Sequence, residues 1–117
     1  MTQPHNLNKH SQTLYTDQES LSLQVKTTSL SGGGSLFDET LVIWVKELGD
    51  SRLHVCEDVP FVIAGSAAGR FTTGRYIHAG GRSHSHLLVS LCQAFGMELD
   101  TFGDASTGSG PLTELIG

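Results

Sequence analysis

Apolar positions along the chain gather into three blocks separated by polar and glycine-rich stretches. The first is Leu41-Val42-Ile43-Trp44-Val45, an unbroken apolar run rich in β-branched and aromatic types. Such a run reads as a strand buried on both faces, here over about residues 40–46. The second is Val59-Pro-Phe-Val-Ile-Ala-Gly65, a strand over about 59–65 with Pro60 at its start, where a missing N–H costs no ladder bond. The third differs in period. Leu87, Leu88, Leu91, Cys92 and Phe95 fall on one helical stripe, predicting a helix over about 84–95. Ser83 or Ser85 is placed to accept from its first N–H groups, and Gly96 to end it.

Shorter signals fill the intervals. Arg70-Phe-Thr-Thr-Gly74 and Arg75-Tyr-Ile-His78 predict a short hairpin over about 70–78 around Gly74. Leu21, Leu23 and Val25 alternate with polar residues, as in a short half-exposed strand. Otherwise residues 1–34 are polar and read as weakly structured. Ser31-Gly-Gly-Gly-Ser35 reads as a flexible hinge where the folded unit, 35–117, begins. The expected fold is therefore α/β: a small, incomplete sheet with a buried central strand and one packed helix. A single helix covers only one face of such a sheet.

The 117 residues suit one domain with a modest core. Seven Lys and Arg against twelve Asp and Glu give a formal charge of −5, and no basic run offers a footprint for nucleic acid. No apolar run nears the roughly 20 residues that cross a bilayer. The N-terminus has neither the apolar core nor the cleavage site of a signal peptide, which as written points to the cytoplasm. Cys56 and Cys92 are too few for a disulfide scaffold and read as buried small hydrophobes.

Candidate chemistry lies mainly just after the first strand. In open α/β sheets ligands bind beyond the strands' carboxyl ends. Glu47, Asp50, His54, Cys56, Glu57 and Asp58 crowd that position. Carboxylates and imidazole are suitable donors for a divalent cation such as zinc, calcium or magnesium, with Glu47 and His54 the leading ligands and Asp50 behind them. The spacing matches no strict ligand motif, and a solvated acidic loop has the same composition. His78, His84 and His86 form a second cluster, although residues two apart on a helix do not face each other. Arg70 and Arg75, on a glycine-rich segment with Arg82, suit an anion such as phosphate or sulfate, or else the acidic loops. No nucleophile motif and no phosphate-cradling glycine loop occurs.

The segment from about Gly34 to Leu115 resembles the C-terminal part of a bacterial family, domain of unknown function 1552. The resemblance rests on Asp38-Glu-Thr-Leu-Val-Ile-Trp-Val-Lys-Glu-Leu-Gly-Asp-Ser-Arg-Leu-His54 and Val59-Pro-Phe-Val-Ile-Ala-Gly65. It continues through Thr73-Gly-Arg75, Leu87-Leu-Val-Ser-Leu-Cys-Gln-Ala-Phe-Gly96, Phe102-Gly-Asp104 and Gly110-Pro-Leu112. It implies a distant relative of the alkaline phosphatase and sulfatase superfamily, a larger α/β domain exported by planctomycetes and similar bacteria. In that superfamily an acidic residue ending a buried strand and a histidine downstream bind metal, which here implies Glu47 and His54. Where the superfamily carries Asp-His-Gly, this chain has Glu47-Leu-Gly49. The nucleophile-bearing half, the other ligands and the export signal are not among these residues. The resemblance thus implies a C-terminal fragment without catalysis of its own, partnered by the remainder of the domain. A non-enzymatic binding or structural module is the alternative. Exposed strand edges further predict self-association.

Overall fold

The structure is a computed structural model that describes residues 20–116. Its centre is an antiparallel pair, β1 (Leu41–Val45) and β2 (Phe61–Gly65), in the register Leu41↔Gly65, Ile43↔Ile63 and Val45↔Phe61. Helix α1 (20–27) and the single turn α2 (Leu36–Glu39) precede the sheet. Helix α3 (Ser85–Ala94) follows it, and two 3-10 turns, Ala105–Thr107 and Thr113–Leu115, close the described chain. The small incomplete α/β unit expected from the apolar blocks is what forms, with no third strand among the described residues.

Opposite residues of an antiparallel pair share a face. Leu41, Phe61 and Ile63 stand on one face and pack against a cluster of Ala67, Phe71, Leu87, Ala94, Leu112 and Leu115. Leu87, Leu91 and Ala94 recur on one stripe of α3, which lies against that cluster. The cluster reaches along β2 as far as Phe61 but falls short across β1. Ile43 and Val45, on the same face, are 38% and 49% exposed, and Val62 on the other face is 38% exposed. A strand buried on both faces was expected; a two-stranded sheet and one packed helix leave too little protein to cover it.

Three further expectations are corrected. The 70–78 hairpin does not form, because Gly74 turns a segment whose Thr72 N–H and Arg75 side chain bond to the terminal turn and not across a ladder. The strand read over 21–25 is instead part of α1. Leu21 and Val25 are also four apart, a spacing that suits a helix face, and only Val25 of its apolar residues is buried. Thr27 and Thr28 end this helix by donating their hydroxyls back to Leu23 O and Gln24 O at 2.9 and 2.7 Å. The glycine run is also no loose hinge. Ser29 and Ser35 form a bridge across it, Leu30 and Gly34 bond at 3.1 Å, and Leu36 N–H donates to Thr28 O at 2.8 Å. The folded unit therefore begins before residue 35. The rest of the segment read as weakly structured, residues 1–19, lies outside the described residues.

Beyond β2 the chain reverses through Ala67, Ala68 and Gly69, all left-handed at φ 49°, 58° and 78°. Asp38 O holds this turn, accepting from Ala68 N–H at 2.7 Å and from the Ser66 hydroxyl at 2.9 Å. Ala68 is exposed, so its side chain adds little packing while its backbone carries strain. Left-handed geometry costs a non-glycine residue about 1–2 kcal/mol, against about 0.5–1 kcal/mol of extra chain entropy for glycine. Ala68→Gly is expected to raise stability by about 0.5–1 kcal/mol, read as a higher urea midpoint at unchanged slope.

Candidate functional site

The acidic loop joins the two strands, and this antiparallel connection changes its meaning. The carboxyl end of β1 lies beside the amino end of β2, with Val45 opposite Phe61. The crevice rule for parallel α/β sheets therefore has no counterpart here. Residues 46–60 form a self-bonded loop: Gly49 N–H donates to Val55 O at 3.0 Å and Val55 N–H to Asp50 O at 3.3 Å. Gly49 is required for this closure, since a Cβ there would sit 1.6 Å from Glu57 O.

Asp50 is committed within the loop. Its Oδ1 accepts from Arg52 N–H at 2.9 Å and Leu53 N–H at 3.3 Å, a side-chain-capped turn, and its Oδ2 faces Arg52 Nη2 at 3.9 Å. Glu47 and His54 are both exposed, and His54 sits at φ 54°. Among the described residues no three His, Cys, Asp or Glu side chains converge as a metal-donor group, so Glu47, Asp50 and His54 are not assembled into one. Cys56, expected inside, is exposed.

The histidines of the second cluster do separate jobs. His78 Nδ1 accepts from Gly80 N–H at 3.2 Å. The His84 ring stacks on Phe61, with centroids 6.4 Å apart and planes 18° from parallel. His86 Nδ1 lies 3.0 Å from Gly110 O. The arginines expected to bind an anion donate to backbone carbonyls. Arg70 Nη1 donates to Gln93 O at 3.5 Å near the carboxyl end of α3, where unpaired carbonyls favour a cation. Arg75 donates to Thr72 O at 3.1 Å and to Glu114 O. Arg82, which the sequence placed beside them, forks onto the Glu114 carboxylate at 2.5 and 3.2 Å.

The densest polar assembly lies where the terminal segment crosses the start of α3. The N-cap position of α3 is His84, with no side-chain cap bond, and Ser83 just before it accepts from Ser85 N–H through its Oγ at 3.2 Å. Ser83 Oγ donates to Ser85 Oγ, Ser85 Oγ to Thr107 Oγ1 and Thr107 Oγ1 to Asp104 O, at 3.0, 2.9 and 2.7 Å. The Ser106 backbone N–H and hydroxyl hold the Asp104 carboxyl below its ordinary value. Deeper in, Ser90 Oγ donates to His86 O at 2.9 Å and accepts from Leu112 N–H at 2.7 Å. Each hydroxyl chain ends on a backbone group, and among the described residues no serine is bonded to an imidazole. Chemically this arrangement positions the terminal segment so that Leu112 and Leu115 enter the core. Pro111-Leu-x-x-Leu115 is the only local signal in the sequence for this insertion.

Compared with family models, curated proteins and solved structures, the chain matches none. The resemblance to domain of unknown function 1552 thus stands on the sequence motifs alone.

Proposed function

We propose that this chain works by association and not by catalysis of its own, as a small α/β module whose unfinished sheet is completed by a second copy. The observation behind this reading is the core that runs along β2 but falls short across β1, leaving Ile43 and Val45 exposed, with Val62 exposed on the other face. Apolar residues on both faces of a two-stranded sheet invite further packing, and short uncovered sheets tend to pair with other chains. The polar networks support the same reading, since their hydroxyl, imidazole and guanidinium groups are spent on holding the fold. No helix of the described residues is long and apolar enough to cross a membrane.

Sedimentation across a concentration series tests the proposal. The wild-type chain is expected to show a concentration-dependent dimer. Val45→Lys places a charge on the exposed part of the face and forfeits about 1.5–3 kcal/mol of burial, weakening the dimer roughly 10- to 100-fold. A monomer at every concentration, or a dimer indifferent to Val45→Lys, would overturn it.

A further inference from the structure

Residues 72–82 form no helix or strand and carry left-handed glycines at 74, 80 and 81. Their apolar anchorage is slight: Ile77 and Ala79 are only partly buried, and Tyr76 is 87% exposed. Two arginines supply the rest, in the same manner. Arg75 Nε donates to Thr72 O and Arg82 Nε to Ala79 O, at 3.1 and 2.7 Å, so each guanidinium braces its own turn. Further nitrogens of both converge on one residue. Arg75 Nη2 donates to the Glu114 carbonyl, and Arg82 Nη1 and Nη2 donate to its carboxylate. Next door, Thr72 N–H donates to Leu115 O at 2.9 Å.

We infer that residues 72–82 and the terminal turn form a clasp closed by the Glu114 carboxylate, and that neutralising this one group frees 72–82 while β1, β2 and α3 stay folded. The carboxylate lacks deep burial, so the clasp is a local device and not a support of the whole fold. The charged groups acting on it are Arg82 and Arg75; His78 is another titratable side chain of the segment. Hydrogen bonds from Arg82 first, then its own N–H, hold the Glu114 carboxyl below its ordinary value. A depressed carboxyl stabilises the closed state fully above the ordinary glutamate range. That contribution is lost as pH falls through the lower folded-state value.

Hydrogen exchange on the full chain at neutral pH reads the clasp. Glu114→Gln and Arg82→Gln are each expected to lower protection across 72–82 about three- to fivefold, with α3 unchanged, whereas Arg52→Gln, which breaks the exposed pair with Asp50, leaves 72–82 as it was. In a titration followed by NMR, amides of 75–82 should shift together at an acid midpoint that is missing from Glu114→Gln. Unchanged protection in both clasp variants, or an equal loss throughout α3, would overturn the inference.

Discussion

Gly65→Ala is expected to cost at least about 3 kcal/mol and to strip exchange protection from the β1–β2 pair. Gly65 ends β2 opposite Leu41 at φ 99°, a conformation L side chains rarely adopt, and that alone costs about 1–3 kcal/mol. A Cβ at this position would also stand 2.0 Å from Thr40 O and 3.2 Å from Phe37 O. Those carbonyls cannot withdraw freely, because Ala67 N–H donates to Thr40 O and Thr40 N–H donates to Phe37 O. Gly69→Ala provides the comparison, since it has φ 78° but nothing within 4 Å of its added carbon. It should cost only the conformational share, about 1–2 kcal/mol. Urea midpoints for the two variants separate close approach from backbone strain; equal losses would show that the approach of α2 to the end of β2 is looser than described.

Phe71→Ala should be comparably severe. Phe71 is 4% exposed within the cluster where the terminal leucines meet α3. Truncating such a ring costs about 3–5 kcal/mol through lost transfer energy and the cavity left behind. For a chain this small that is a large share of a total of about 5–15 kcal/mol, and the melting temperature should fall by roughly 15 °C or more. Phe95→Ala is the informative contrast. The helical stripe in the sequence placed Phe95 in the core, yet it is 61% exposed at the end of α3. Its removal should change stability by about 0.5 kcal/mol or less. Thermal melts by circular dichroism would show a large gap between the two phenylalanines, and a small gap would contradict the placement of the core.

The misplacement of Phe95 has a physical reason. A helical stripe records which residues can share a face, not where the neighbouring layer ends. Leu87, Leu91 and Ala94 meet that layer and Phe95 runs past it. The candidate site turns on the same distinction. Glu47, Asp50 and His54 lie close in sequence, but convergence of their donor atoms depends on the path of the loop. The path taken spends Asp50 on its own turn. Glu114, the junction of both arginines, carries no motif, since its partners lie 32 and 39 positions away.

Local chemistry was enough to place β1, β2 and α3, because apolar runs and a helical period act over a few neighbours and need no distant partner. The start of β2 beyond Pro60 belongs with them. Long-range packing settled the remainder: antiparallel pairing over a long loop, the exposure of Ile43 and Val45, helix in place of strand at 20–27, and the insertion of Leu112 and Leu115. Each of these turns on which apolar surface finds another to cover it, a competition among distant segments that no short window of residues records.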